Sequence, residues 1–234
     1  MKKLIFVLTI VMVCAIHVEA AGPKSLTRTI QAGGIEALDL SSGIGDVTIT
    51  ARDGLDEVTI EVVLTPRRGG IFSSKRQAER DVEAATLDAT VKRERIILRI
   101  DAPDDDDDRR FEEQWIIDVP PHLMVKLEHG VGDVEIRGVT AGVELDSGVG
   151  DVEVVVTEGD VNVDLGVGTA IVRAPASAYG AAEAAGGVGN ARLTVQGEKI
   201  EGGGFVSKAA SWSGNGSYRI EVAVGVGDAV IELN

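Results

Sequence analysis

The sequence predicts a mainly β protein whose strands stack as a β-solenoid, a coil in which each turn, or rung, packs on the one before it. Three observations predict this fold: a glycine motif that returns along the chain, spacings of 18, 18 and 21 residues between its central copies, and alternation of apolar and polar residues between them. A period near 20 built from strands and glycine corners is typical of stacked β-repeats. A β-sandwich is the alternative arrangement for so many short strands.

The repeated motif is GxG followed by a strand, as in SGVGDVEVV from Ser147. An isolated GxG suggests a phosphate loop, but such a loop occurs once and opens a helix, so we interpret each copy as a corner. The glycines allow positive φ or close backbone approach, the apolar residue between them is expected to tuck into the core, and the aspartate that follows is expected to bond its own turn backbone. The predicted corner glycines and turn aspartates are Gly43, Gly45, Asp46, Gly130, Gly132, Asp133, Gly148, Gly150, Asp151, Gly166, Gly168, Gly187, Gly189, Gly225, Gly227 and Asp228.

Each repeat contains two short strands. Residues 152–157 alternate apolar and polar side chains, residues 158–159 turn the chain with Glu-Gly, and residues 161–165 alternate again. Alternation with period two is the pattern of a strand with one buried face. We therefore expect the strands to stack in register from about Trp115 onward.

The chain between the first and second corners departs from the repeat, and residues 66–114 are predicted as an insertion. Residues 73–88 have the apolar spacing of one helix, with Ser73 or Ser74 as its cap. Strands are predicted at residues 95–100 and 115–119. Five consecutive aspartates, Asp104 to Asp108, repel one another and are predicted to form a solvated hairpin tip between those strands.

The first 20 residues have the pattern of a secretory signal peptide. Two lysines precede an apolar run that is short for a membrane span, and Val18-Glu19-Ala20 offers small residues at the cleavage spacing. We expect cleavage near Ala20, which leaves residues 21–234 as a single domain. The sequence then predicts no transmembrane segment in the mature part.

Composition excludes several functions. Loss of Lys2, Lys3 and Glu19 with the signal peptide leaves 21 basic and 37 acidic residues, from 23 and 38 in the whole chain. This balance argues against binding of nucleic acid or an anionic lipid surface, since both need clustered Lys and Arg. The mature part also contains no cysteine, so packing and backbone hydrogen bonds must hold it together.

An enzyme is not predicted, and no cofactor or metal is expected. His122 and His129 are the histidines of the mature part, and neither stands in a metal-ligand spacing such as HxH or HExxH. The aspartates follow their glycines directly, which is one residue out of register with the calcium-binding GGxGxD repeat. The alternative is a β-helix enzyme that acts on acidic polysaccharides, although such grooves usually carry aromatic platforms and the mature part has few aromatic residues.

The segments WIIDVPPHLMVKLEHGVGDVEI and GSYRIEVAVGVGDAVIELN, together with the GIGDVTIT start, resemble the bacterial putative adhesins with β-strand repeats, a family of unknown function. The likeness runs from about residue 26 to residue 234. It implies a right-handed β-solenoid in an exported protein, which would be periplasmic, on the cell surface or secreted. It also implies adhesion to an envelope, matrix or cell-surface partner, and no catalytic residues.

Two non-enzymatic hypotheses remain open. In the first, the solenoid presents its outer surface to a partner; in the second, it is a structural or stress-response envelope domain without an adhesive surface. A contiguous exposed apolar patch along several rungs would favour the first, and an evenly acidic surface the second. The residues predicted to point outward are charged: Glu135, Arg137, Glu144, Glu153, Asp164 and Arg173.

Overall fold

A computed structural model describes residues 22–67, 75–102, 110–202 and 208–234. The predicted signal peptide, the Asp104 to Asp108 run and the helix caps Ser73 and Ser74 lie outside these residues. The described chain contains one α-helix and sixteen strands: β1 (Lys24–Gln31), β2 (Ala37–Ile44), β3 (Val47–Ala51), β4 (Glu57–Pro66), α1 (Lys75–Ala84), β5 (Thr86–Lys92), β6 (Arg95–Asp101), β7 (Phe111–Val119), β8 (Met124–Val131), β9 (Val134–Arg137), β10 (Val143–Val149), β11 (Val152–Val155), β12 (Val161–Ala174), β13 (Tyr179–Val195), β14 (Glu198–Glu201), β15 (Lys208–Ser213) and β16 (Tyr218–Leu233).

The central repeats stack in parallel with an 18-residue register. Val125 of β8 pairs with Val143 of β10, which pairs with Val161 of β12. The second strand of each repeat does the same, from β9 through β11 to the later half of β12. Sheet one is defined as the side that contains β8, β10 and the first half of β12. Sheet two is the side that contains β9, β11 and the second half of β12.

The complete strand order is mixed. Sheet one runs β5-β6-β2-β8-β10-β12 and sheet two runs β1-β4-β7-β3-β9-β11-β12, so the sheet turns back on itself at β12 into a nearly closed, barrel-like shape. Neighbours β1–β4, β4–β7 and β5–β6 pair antiparallel. The mainly β fold is confirmed, and the strands form a nearly closed, barrel-like sheet of mixed strand order. The tight β5–β6 hairpin explains part of the mixed pairing, because a short turn can join only antiparallel strands.

The rungs also do not stack in chain order. Strand β16 lies between β12 and β13 and pairs in parallel with both. The corner at Gly225 therefore stacks directly on the corner at Gly166, and the corner at Gly187 comes after it. At this end β13 is flanked by β14 and β15, which both pair with it antiparallel.

Alternating side chains fill the interior between the two sheets. Strand β7 shows this clearly, because Trp115 and Ile117 are fully buried while Ile116 between them is exposed. Helix α1 packs against β4 and β7 and buries Ala78 and Val82.

The structure corrects the predicted end of the helix and the nature of the insertion. Helix α1 ends at Ala84, and Leu87, which the apolar spacing places in the helix, pairs with Ile100 in the β5–β6 hairpin. Strand pairing here overrides the local helical pattern. The region predicted as an insertion thus adds β5 and β6 to the edge of sheet one.

Candidate functional site

The corner glycines stack directly on one another where the chain passes from sheet one to sheet two. A Cβ atom placed on Gly148 would lie 2.4 Å from the carbonyl oxygen of Gly130, and one on Gly150 would lie 1.9 Å from that of Gly132. The second glycine of each corner also has positive φ, +140° at Gly132 and +145° at Gly150. Neighbouring backbones approach so closely that only glycine fits at either position. The six corners lie in the spatial order Gly43, Gly130, Gly148, Gly166, Gly225 and Gly187.

The aspartates after the glycines bond the neighbouring rung. Oδ1 of Asp46 accepts a hydrogen bond from the backbone N–H of Asp133 at 3.0 Å, and Oδ1 of Asp151 accepts one from the N–H of Thr169 at 2.9 Å. At the far end, Oδ1 of Asp228 accepts bonds from both the backbone and the side chain of Asn190. The predicted bond to each aspartate's own turn is therefore wrong. The in-register stack brings the next rung's N–H within reach of the carboxylate.

The apolar residues between the glycines are exposed. Val131, Val149 and Val167 each expose 44% of their surface, Val226 exposes 49% and Val188 64%. The expectation that these residues tuck into the core is wrong, because they lie on the outside of the turn between the two sheets. Each pairs in register with the next. We call this row the valine ladder: half-buried Ile44, then Val131, Val149, Val167, Val226 and Val188.

A groove of about 690 Å³ runs beside the valine ladder on sheet one. The first glycine of five of the six corners, all except Gly43, contributes to its lining, and the groove exists because these glycines carry no side chains. Its outer wall includes an acidic row of three exposed carboxylates, Glu128, Asp146 and Asp164, which pair in register on adjacent strands. The row continues as Ala223 and Ala185.

The acidic row is electrostatically strained. Burial raises the pKa of Asp164, and the neighbouring carboxylates of Asp146 and Glu221 raise it further. Like charges directly opposite one another on adjacent strands are destabilising. Within the described residues, Glu128, Asp146 and Asp164 form no ion pair.

Sheet two carries a different pattern of charge. Arg137 pairs with Glu135 and with Glu153, and Arg173 pairs with Glu153 and with Glu232. On sheet one, Glu144 pairs with Lys126. Six charged residues are predicted from the sequence to point outward. Five of them form ion pairs, whereas Asp164 forms none within the part of the chain that the structure describes. The acidic row at the groove is therefore not neutralised by ion pairs within the described residues, unlike these charges of sheet two.

Buried polar groups lie inside the same corners. Glu113 is fully buried, and its Oε2 accepts hydrogen bonds from the Trp115 indole N–H at 2.9 Å, the Ser42 hydroxyl at 3.2 Å and the Gly43 backbone N–H at 3.3 Å. The sequence-based prediction does not include Glu113, although it alternates in phase with Phe111 and Trp115. His129 is also buried. Burial lowers its pKa, opposed by the carboxylates of Glu113, Asp46 and Asp133.

The structure does not assemble the two histidines into one site. His122 is exposed on the turn before β8, whereas His129 lies buried near the other end of that strand. Among the described residues, no group of three or more His, Cys, Asp or Glu side chains could hold a metal ion. No helix in those ranges is long and apolar enough to cross a membrane.

The fold is similar to that of a solved bacterial protein. A putative cell adhesion protein from Clostridium sporogenes matches with a TM-score of 0.60 and 20% identity, over 91% of this chain and 100% of that chain. Putative adhesins from Bacteroides fragilis (11% identity, TM-score 0.30) and Parabacteroides distasonis (8%, 0.26) each match over 90% of this chain and 97% of their own. No protein-family model and no curated protein matches. The resemblance to bacterial putative adhesins is confirmed as a likeness of fold, which rests on the Clostridium sporogenes protein.

Proposed function

We propose that this is a non-enzymatic, exported cell-envelope protein that binds a partner through its corner face, the surface formed by the valine ladder and the adjoining groove. The valine ladder is the observation that carries the proposal. Seven large hydrophobic side chains are exposed among the described residues, and five of them belong to the ladder. Contiguous apolar surface on a soluble protein marks an interaction site more often than a scaffold surface.

The ladder is long enough to serve as an interface. Six rungs at about 4.8 Å per strand give an apolar row about 24 Å in length. The outer face of sheet two instead carries arginine–glutamate pairs. The apolar row is thus confined to one side of the molecule. This uneven distribution favours a protein that binds a partner over a structural or stress-response domain with an evenly acidic surface.

Export is supported by the signal-peptide pattern of residues 1–20. The fold neighbour named as a putative cell adhesion protein supports a role at the cell surface or in the matrix. We further infer that the stacked rungs wind as a right-handed solenoid. The connections from β8 through β9 to β10, and from β10 through β11 to β12, each link parallel strands, and such crossovers are right-handed in about 98% of cases.

The lining of the groove favours binding over catalysis. Of the described residues that line it, none is Phe, Tyr or Trp and none is Lys or Arg. An enzyme that acts on acidic polysaccharides would need cationic side chains to hold the anionic sugar beside the carboxylates of the acidic row, and it usually stacks the rings on aromatic side chains. We therefore place the polysaccharide-acting enzyme second.

The proposal is tested by attachment of protein-coated beads to bacterial cells and to matrix-coated surfaces. The triple variant Val131→Thr, Val149→Thr and Val167→Thr keeps the β-branched shape of each side chain but makes the ladder polar. We expect it to lose most of the attachment under flow. Val91→Thr is the matched control, because Val91 is 47% exposed on β5 outside the ladder. Equal attachment of the triple variant and the wild type would contradict the proposal.

A further inference from the structure

We propose that the partner bound by the corner face is a basic polypeptide segment, which lies along the stack with its Lys or Arg side chains against the carboxylates that border the valine ladder. This inference rests on the proposed function and names the chemistry of its partner. It follows from the charge on both sides of the ladder.

Two rows of carboxylates enclose the valine ladder. The acidic row lies three residues before Val131, Val149 and Val167, as Asp146 lies before Val149. Corner aspartates lie two residues after four members of the ladder, Ile44, Val131, Val149 and Val226, as Asp151 lies after Val149. The inter-rung hydrogen bonds of the corner aspartates use Oδ1, and these side chains are exposed. The surface is thus an apolar strip between two lines of negative charge.

A lysine- or arginine-rich segment fits this arrangement. Each of these side chains has an aliphatic stem that covers apolar surface and a charged head that reaches beyond it. Stems laid on the valines would bring their heads to the carboxylates on either side. Successive side chains of an extended segment point in opposite directions, so a segment with a basic residue at every second position directs all its charges to one side, toward the acidic row. A ladder of about 24 Å spans about seven extended residues at roughly 3.4 Å each.

The bound cations would also relieve the repulsion within the acidic row. Asp146 and Asp164 face each other in register at the spacing of adjacent strands, about 4.8 Å. Burial is the main cause of the raised pKa of Asp164, and repulsion by the carboxylates of Asp146 and Glu221 adds to it. A cationic partner supplies the opposite charge that this row lacks in the described residues.

Other occupants fit less well. Acidic polysaccharides, nucleic acids and anionic lipids would meet carboxylates on both sides of the ladder. A second copy of this chain placed on the ladder would oppose the same two rows of negative charge. A second copy is one outcome of the test that follows.

The test is fluorescence anisotropy of labelled seven-residue peptides with the purified protein. A peptide of alternating Lys and Leu is expected to bind, and to bind more weakly as salt rises because screening weakens exposed charge pairs. The matched peptides have Glu in place of Lys, or Ser in place of Leu, and both are expected to bind less. Failure of the Lys-Leu peptide to bind at millimolar concentration would overturn the inference.

Variants of the protein distinguish binding at the groove from attraction by the net negative charge of the whole protein. The double variant Asp146→Asn and Asp164→Asn should weaken binding of the Lys-Leu peptide by about fivefold, since it removes two exposed charge pairs with the bound Lys side chains. The control variant Glu198→Gln with Glu201→Gln removes the same amount of charge from exposed residues of β14. It should change the affinity for the Lys-Leu peptide by less than about twofold. Circular dichroism checks that both fold. Equal losses in the two double variants would mean that net charge alone attracts the peptide, which overturns the inference.

The two proposals can fail separately. If bead attachment depends on the valines but not on Asp146 and Asp164, and the Lys-Leu peptide does not bind, the interaction function stands and the basic partner is wrong. If the peptide binds in the groove but the beads attach nowhere, adhesion is wrong and the groove chemistry stands. Concentration-dependent dimerisation in sedimentation that Val149→Thr abolishes would identify a second copy as the occupant and overturn the basic segment.

Discussion

Oδ1 of Asp133 accepts a hydrogen bond from the backbone N–H of Asp151, 2.9 Å away on the adjacent rung. The same relationship joins Asp46 to Asp133 and Asp151 to Thr169. Side chains here satisfy backbone N–H groups at the turn between the two sheets, where regular strand pairing is interrupted. The corner aspartates therefore link rungs to one another.

Asp133→Ala should lower the free energy of unfolding by about 1 kcal/mol, because it leaves the Asp151 N–H without this acceptor. Asp133→Asn keeps an Oδ1 acceptor while it removes the same charge, so its loss should be smaller. Urea denaturation of the two variants and the wild type measures the difference. Identical losses would mean that the hydrogen bond contributes nothing and that only charge matters.

Gly150→Ala should destabilise the protein by about 3 kcal/mol or more, since the new Cβ combines a clash with a positive φ. That atom would lie 1.9 Å from the Gly132 carbonyl oxygen. Gly197→Ala is the control, because its φ is also positive, +89°, but no atom lies within 4 Å of the added Cβ. We expect the control to cost about 1 kcal/mol from backbone strain alone. Thermal melts that shift equally in both variants would show that the corners do not depend on close approach.

His129 should make the protein less stable as the pH falls below neutrality. Burial lowers its pKa despite the carboxylates of Glu113, Asp46 and Asp133. The unfolded chain therefore takes up a proton first, near its ordinary pKa of about 6.5, so stability present above that pH is lost as the pH falls toward the folded value. His129→Gln should reduce the pH dependence of the unfolding free energy between about pH 7 and 5. Equal slopes in the variant and the wild type would refute the assignment.

Asp164→Asn should raise the melting temperature at pH 7. The raised pKa of Asp164 means that its ionised form is disfavoured in the folded state, so stability falls as the pH rises through the folded pKa. Below the unfolded pKa of about 3.9 both states hold the proton, and the advantage of the asparagine should disappear. Melts at pH 7 and at about pH 3.5 measure this change. An advantage that is independent of pH would point to packing instead of charge.

Calcium should leave the melting temperature unchanged. The corner aspartates are engaged with backbone N–H groups of adjacent rungs and are one residue out of register with the calcium-binding repeat. Specific binding at a hundredfold excess over its dissociation constant would add about 2.7 kcal/mol of stability, which a melt would detect. Melts in millimolar calcium and in chelator test this. A calcium-dependent rise that Asp133→Asn with Asp151→Asn abolishes would contradict it.

The strands and corners are predictable because they depend on local patterns. The alternation around Val152 and the glycine pairs report backbone geometry directly, and β11 and the positive φ of Gly150 lie where those patterns indicate. The burial of Glu113 could also be predicted from the sequence, because this residue lies two positions before Trp115 on β7 and therefore on the same face of the strand. It escapes prediction because a charged side chain is ordinarily expected to face solvent.

The stacking order and the exposure of the valines cannot be predicted in this way. Every copy of the repeat has a similar apolar pattern, so alternation does not say whether the Gly187 or the Gly225 copy pairs with the Gly166 copy. Likewise, an apolar residue between two glycines is compatible with either side of a turn. Val149 faces outward because of how the two sheets meet. The groove follows from neither pattern, because it combines glycines and carboxylates from several rungs.

The position of β16 has a consequence for how the molecule assembles. Strand β13 is synthesised first, yet its parallel partner in the stack is β16, which in turn pairs with β12. Until β16 has emerged, β13 and the hairpins attached to it cannot join the growing stack. The free edge of β12 therefore remains unpaired until β16 is available. Pairing of β16 with β12 and β13 is a non-local step, which is slow compared with hairpin formation. We expect that interval to be the stage at which a chaperone or an aggregating neighbour competes for the exposed edge.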